Sequence, residues 1–261
     1  MRRVRVIPVL LIQNGGLVKS IKFKNNQYVG DPINAVKIFN EKEVDEIAII
    51  DISATKEKRK PNIDQIRDIA GEAFMPLSYG GGITTIEEVK ELLYQGCEKV
   101  ILNSSALDNL DLIKKIANQF GSQSVVVSID VKKDWFGKYR LYRNNGTKKT
   151  DLNVVLFAKK VEQAGAGEIL LNSIDNDGTY NGYDIALTKL VAEAVEIPVV
   201  AIGGASKVSD FVEVTSKGEA SAVGAGSMFV FQRPHQAVLI TYPSQEELIE
   251  KFFKKIDDKV Y

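Results

Sequence analysis

Residues 79–89 read YGGGITTIEEV and residues 201–212 read AIGGASKVSDFV: a glycine-rich strand end, a polar turn and the start of an amphipathic helix, written twice. Gly81 and Gly82 fall opposite Gly203 and Gly204, 122 positions apart (203 − 81). The next segments, ILNSSAL (101–107) and VGAGSMF (223–229), keep that separation, since Ser105 and Ser227 are also 122 apart (227 − 105). A repeat spanning nearly half of a 261-residue chain constrains the architecture before any single element is assigned.

Working outward, β-rich apolar runs occur at VRVIPVLL, EIAIID, MPLSYGG, KVILNS, SVVVSID, EILLNS, PVVAIGG and ASAVGAG, with segments of helical length between them. Eight strands alternating with helices predict parallel pairing through right-handed crossovers. That gives a single-domain (βα)8 barrel, the TIM-barrel class of α/β folds, over residues 1–261, built from two half-barrels. An open doubly wound sheet is the alternative. Helix signals agree: Asp31 precedes Pro32 in GDPINAVKIFN, and TTIEEVKELLYQG carries early acids and ends at Gly96. Three segments exceed a minimal barrel. They are residues 12–30 after strand one, FGKYRLYRNNGTKKT after strand five with a hairpin turn at Asn145 and Gly146, and VFQRPHQAVLITYP before the last helix. The inserts after strands one and five are expected to border the active face.

Composition narrows the chemistry. Lysine and arginine total 34, matching 34 aspartates and glutamates, which argues against nucleic acid as a partner. No apolar run approaches the ~20 residues of a membrane helix, so the chain is expected to be soluble with no membrane partner. The apolar run in MRRVRVIPVLL is short for a signal peptide and reads as a strand. Cys97 is the only cysteine and His235 the only histidine, so an internal disulfide and a cysteine-rich or histidine-rich metal site are excluded and no His-based triad is expected. No metal or cofactor is expected, and the cytoplasm fits best. Acid–base chemistry must use carboxylates, lysine or tyrosine.

Each half ends in a glycine-rich strand end, then a strand followed by small residues at a helix start. Such a backbone can approach and hold a phosphate. The repeat predicts two phosphate sites, one from Gly81, Gly82, Asn103 and Ser104, the other from Gly203, Gly204, Ala225, Gly226 and Ser227. Asp177, Gly178 and Thr179 in DGTYNG lie near the second. Glycines that merely serve tight turns are the bland alternative. Two sites flanking one mouth suit an elongated ligand with a phosphate at each end.

From Arg5 to about Ser227, and most specifically in YGGGI, GAGEILLNSIDNDGT and IGGASK, the chain resembles the cyclase subunit of imidazole glycerol phosphate synthase (HisF). The resemblance implies a (βα)8 barrel that receives ammonia from a HisH-like glutaminase docked on the N-terminal face and uses it on a bisphosphate at the opposite face. It also implies two catalytic aspartates, ending strands one and five. Asp130 matches the second; VLLIQNGG places Leu11 at the first, and leucine transfers no proton. Asp51 and Lys19 match family positions too, against readings as a turn residue and a solvated loop charge. Arg5, Glu46, Lys99 and Glu168 stand near the beginnings of strands one, two, four and six, so they should meet at the barrel floor, where they match the family's ammonia gate. Ordinary surface salt bridges are the alternative. Glu98 matches an acidic position at the glutaminase interface.

FQRPHQAVLITYPS looks like the extra stretch of HisF-like accessory proteins of acetamidino-sugar biosynthesis, in which a glutaminase and a HisF-like barrel supply ammonia to an N-acetyl sugar amidotransferase. Leu11 agrees with that resemblance. The leading expectation is therefore an ammonia-conducting subunit supporting glutamine-dependent amidation of a sugar nucleotide. A true cyclase of histidine biosynthesis and a non-catalytic phosphate-binding scaffold are the alternatives. His235 and Tyr242 could face a partner or pack the tail.

Overall fold

The computed structural model describes residues 4–232, 235 and 237–257, and in it eight parallel strands close into a barrel. They are β1 (Arg5–Gln13), β2 (Ile47–Asp51), β3 (Leu77–Gly80), β4 (Lys99–Leu102), β5 (Val125–Lys133), β6 (Glu168–Ser173), β7 (Val199–Ile202) and β8 (Ala222–Ala225). Each pairs with its sequence neighbour, and β1 closes on β8 with Arg5 opposite Ala222 and Pro8 opposite Ala225. This is the (βα)8 barrel expected from the repeat; the open sheet is excluded by the closure.

The repeat extends to the chemistry that starts each helix. In α1 (Pro32–Glu41) the Asp31 carboxylate accepts from the backbone N–H of Asn34, and 122 positions later Asn153 accepts from Leu156 at the head of α5 (Val154–Gln163). Asn62 caps α2 (Ile63–Ala70) as Asp184 caps α6 (Ile185–Ala192), again 122 apart, and Asn109 caps α4 (Leu110–Phe120). In α3 (Ile86–Tyr94) Glu88 accepts from the backbone of Thr84 and Thr85 at 2.8 and 3.1 Å. In α7 (Val208–Gly218) Asp210 accepts from Ser206 and Lys207 at 2.8 and 3.2 Å. Side-chain caps of this kind contribute about 1 kcal/mol each and fix where every helix leaves the strand before it. The register slips once: Leu11 and Asp130 are 119 apart (130 − 11), whereas Asp31 and Asn153 are 122 apart (153 − 31). The second half therefore carries three extra residues between its first strand and first helix.

Those residues lie in the inserts. After β1, strands Gly16–Ile21 and Lys24–Gly30 form an antiparallel hairpin folded back on β1, with Leu11 opposite Val18. After β5 the chain makes two turns. The first joins Lys133 to the strand Tyr139–Arg143, and the second leads on to Lys148–Lys149. Only the second turn was legible, because Asn144 and Asn145 take positive φ of 52° and 54° there, as a tight hairpin turn requires.

In the third insert Phe231–Gln232 pairs with Ala237–Val238, while Arg233, Pro234 and Gln236 lie outside the described residues. Tyr242 is buried, its hydroxyl donates to the Val6 carbonyl at 3.0 Å and its ring lies 5.2 Å from that of Phe229, so it packs the tail on the barrel. His235 is exposed. The closing helical stretch, Gln245–Leu248 through Lys254–Asp257, is seated by Phe252, whose buried ring meets Phe211 of α7 edge-on at 5.7 Å.

Two separate apolar layers result. The larger fills the space between strands and helices; the smaller lies inside the barrel, where Ile7, Val9, Ala48, Ile101, Val126 and Leu170 meet Val200, Ile202 and Ala222. The inner layer separates the two ends of the barrel.

Candidate active site at the barrel mouth and floor

At the C-terminal ends of the strands lies a cavity of about 530 Å³. Its wall includes Gly81, Gly82, Asn103 and Ser104 from one half and Gly203, Gly204, Ala225, Gly226 and Ser227 from the other, with Asp177 and Gly178 beside the second set. Both predicted phosphate cradles thus face one space. Gly81 has φ +121° and lies against the carbonyl of Asp51, and Gly203 has φ +97° and lies against the carbonyl of Ser173, 122 positions on. A Cβ on Gly203 would stand 2.6 Å from that carbonyl oxygen. Gly203→Ala is therefore expected to strain the cradle by about 1–3 kcal/mol and to weaken inorganic phosphate binding roughly tenfold or more, measured by titration calorimetry. Thr179 is not part of the wall; its backbone N–H and hydroxyl both donate to the Asn176 carbonyl, at 3.0 and 2.8 Å, shaping the turn.

Asp130 enters the cavity from β5 and is buried. Its carboxylate accepts from Asn103 Nδ2 at 3.1 Å and Ser128 Oγ at 3.4 Å. Burial nevertheless pushes the carboxyl up to about 7, with the nearby Asp177 adding to the rise and the two hydrogen bonds opposing it. Lys19 comes from the first hairpin and is also buried, so it is not a solvated loop charge. Its Nζ donates to the Val9 carbonyl at 2.8 Å, and burial lowers it to about 8 although Asp177 works to raise it. Asp177 is itself raised by burial, partly offset by Lys19. A carboxyl and an amine tuned toward neutrality in one cleft are suited to moving protons.

Asp51 also reaches the wall, but its carboxylate is engaged: it accepts from Ser53 N–H and Oγ, each at 2.9 Å, from Ala54 N–H at 3.1 Å and from Arg59 at 3.1 Å. That pattern is a turn clamp, which leaves the carboxylate little capacity for a ligand. Leu11 lines the cavity from β1, paired with Ile50 as Asp130 is paired with Asn172, one half-barrel apart. Sequence reasoning missed Ser128, Arg59 and Asn172. Asn172 had a signal: Glu168, Leu170 and Asn172 alternate inward along β6, and the Asn172 Oδ1 is buried without a hydrogen-bond partner at the cavity wall.

At the opposite end the four charged residues form a closed ring. Arg5 pairs with both Glu46 and Glu168, and Lys99 Nζ contacts Glu46 at 2.8 Å and Glu168 at 3.1 Å. Ser78 Oγ adds a 2.8 Å hydrogen bond to Glu46. Burial alone would push the Glu46 carboxyl up, but Lys99, Arg5 and Ser78 outweigh it and hold it below its ordinary value. Both glutamates are buried, so these are not ordinary surface salt bridges. Glu98 stands beside the ring, exposed. Cys97 is buried and its thiol is pushed up to about 12 by that burial, in keeping with packing rather than reactivity.

A family model described as histidine biosynthesis protein matches residues 5–234. A protein of Pseudomonas aeruginosa, provisionally named an imidazole glycerol phosphate synthase subunit hisF2, is 49% identical over 248 residues, covering 95% of this chain and 99% of its own length. A similarly named HisF protein of Leptospira interrogans is 45% identical over 254 residues, covering 97% of this chain and all of its own length. The imidazole glycerol phosphate synthase subunit HisF of Pyrococcus furiosus is 46% identical over 222 residues, covering 85% and 88%.

Proposed function

The chain belongs to the HisF family of histidine biosynthesis proteins, and from that membership we propose that it is the synthase subunit of a glutamine-dependent pair, using ammonia on a bisphosphate at the barrel mouth. One observation supports this reading: a buried ring of two acids and two bases at the floor, an apolar layer inside the barrel above it and two glycine-rich strand ends at the mouth succeed one another through the barrel. A HisH-like glutaminase docks under the floor, near Glu98, and releases ammonia there. The inner apolar layer admits neutral ammonia and rejects ammonium, because an unpaired charge in such a layer is costly. At the mouth the cradles hold the ligand's two phosphates, Asp130 takes protons and Lys19 gives them.

The names of the relatives favour imidazole glycerol phosphate synthase chemistry over the sugar amidation that the sequence put first. Sugar amidation stays as the second reading on one specific observation, the leucine at position 11. In that case ammonia passes to an N-acetyl sugar amidotransferase and the barrel contributes little proton transfer. The test is turnover of the histidine-pathway bisphosphate by the purified chain supplied with its glutaminase and glutamine. Efficient turnover supports the synthase reading. No turnover, together with copurification of a sugar amidotransferase from the native cell, transfers the function to the second reading. Leu11→Asp separates them further. A working synthase, already served by Asp130 and Lys19, is expected to change its kcat by less than about tenfold; a gain of about a hundredfold, the usual worth of a positioned acid or base, would mark Leu11 as the scar of a lost activity.

A further inference from the structure

The insert after β5 ends in an apex that the mouth does not use. Trp135 and Phe136 stand there 97% and 84% exposed, and neither lines the cavity. The backbone turn that carries the two rings is braced. The Asp134 carboxylate accepts from the backbone N–H of Phe136 and of Lys138, each at 3.0 Å, and from Arg140 Nε at 2.7 Å. The stem is fixed to the segment after β6 by Lys133 N–H on Asp175 and by the Tyr139 hydroxyl on Asp184, each at 2.8 Å. An apolar apex ordered in advance loses little freedom on entering another medium.

Charge around it is one-sided. Residues 132–149 contain seven lysines and arginines against one acid, Asp134. Lys138, Lys148 and Lys149 are exposed, and across the mouth Lys56, Lys58 and Lys60 are exposed too. The helix-to-strand loops of the floor instead expose Glu43, Glu98, Glu193, Glu196 and Glu219. Lys133, Arg140 and Arg143 are paired with Asp184, Asp134 and Asp108, and Glu57 is exposed among the facing lysines, which leaves Lys138, Lys148, Lys149, Lys56, Lys58 and Lys60 as a surplus of exposed positive charge on the mouth side.

We propose that the mouth face docks on the surface of an anionic bilayer, with Trp135 and Phe136 entering the headgroup layer and the flanking lysines meeting lipid phosphates. Aromatic rings bracketed by lysines are what interfacial segments use. Protein interfaces instead deplete lysine around their apolar centre, and the apex is a convex knob rather than a groove. From Asp130 to Asp134 the chain runs on for about 13 Å along the strand, and neither ring at the apex lines the cavity. No described helix is long and apolar enough to cross a membrane, so the contact is with the surface alone. This departs from the sequence expectation of no membrane partner, which rested on the want of an apolar run long enough to cross a bilayer; resting on a surface needs no such run.

Trp135 is the only tryptophan, so its fluorescence reports on the apex alone. The full chain is mixed with vesicles of phosphatidylglycerol and phosphatidylethanolamine, and separately with phosphatidylcholine vesicles. Expected are co-sedimentation with the anionic vesicles only, a shift of emission to shorter wavelength, and affinity that falls about tenfold on raising salt from about 0.1 to 0.5 M. Trp135→Ala/Phe136→Ala and, separately, Lys138→Glu/Lys148→Glu/Lys149→Glu should each weaken binding about tenfold with an unchanged thermal midpoint. No co-sedimentation, or binding indifferent to both variants, overturns the proposal. So does an emission shift that grows with protein concentration without vesicles, which assigns the apex to a second copy, or one produced by adding the glutaminase, which assigns it to a protein partner.

Discussion

Under the proposed synthase function, Asp130→Asn is expected to slow turnover by about a hundredfold to ten-thousandfold, the range for a positioned acid or base, while leaving the chain folded and its phosphate affinity intact. The amide keeps an oxygen for the hydrogen bond from Asn103, so the geometry survives while the proton-transfer function is lost. The pH profile of the parent carries the signature. With the Asp130 carboxyl near 7 and the Lys19 amine near 8, the form with Asp130 ionised and Lys19 protonated dominates between those values, giving a bell whose limbs lie near them. The variant lacks the acid limb. Stability moves in the opposite direction: a carboxyl raised from 3.8 to about 7 on folding stabilises the fold only while protonated, and that contribution is lost as pH rises through its folded value. The asparagine variant should therefore gain stability relative to the parent above neutral pH, read from denaturant midpoints at pH 5 and pH 8. An Asp130 variant with full pathway activity in cells would favour the scaffold reading instead.

Glu46→Ala is expected to destabilise the barrel by about 3–5 kcal/mol, the usual cost of removing one partner from a buried ion pair, because Arg5 and Lys99 are left sharing one carboxylate. Urea unfolding measures it. The Glu46 carboxyl is held below its ordinary 4.5, so its contribution is present above that value and lost as pH falls through the folded one. The gap between parent and variant should therefore close under acid. If the ring is the ammonia inlet proposed above, glutamine-dependent turnover should drop relative to turnover with added ammonium salts, since the ring is disturbed and the mouth is not. Equal losses with both ammonia sources would show that the ring serves stability alone.

Much of this was legible. The spacing of Gly81 and Gly203 was enough to propose two half-barrels, and strand-start positions were enough to gather Arg5, Glu46, Lys99 and Glu168 at one end, because parallel strands in one barrel share a floor. Other features depend on three-dimensional environment. Nothing in a loop sequence says that Lys19 will be folded inward onto the Val9 carbonyl, since that depends on a hairpin docking across the mouth. Asp51 ends a strand like a catalytic group and proves to be clamped by Ser53, Ala54 and Arg59, partners set by the course of its own loop. Thr179 sits inside a motif yet turns away, because a threonine hydroxyl can satisfy a nearby carbonyl as easily as a ligand. The apex at Trp135 was hidden because its turn is made by an aspartate side chain rather than by an Asn-Gly pair.

The pairing of β1 with β8 sets an order of assembly. Arg5 lies opposite Ala222, and Val6, the next residue, is held by Tyr242. On the ribosome β1 can pair early with its own hairpin and with β2, but its second neighbour, β8, is made more than two hundred positions later, so the barrel closes only when the chain is nearly complete. A half-made chain exposes two sheet edges, and under the proposed function it cannot draw on a glutaminase before it can use what the glutaminase releases.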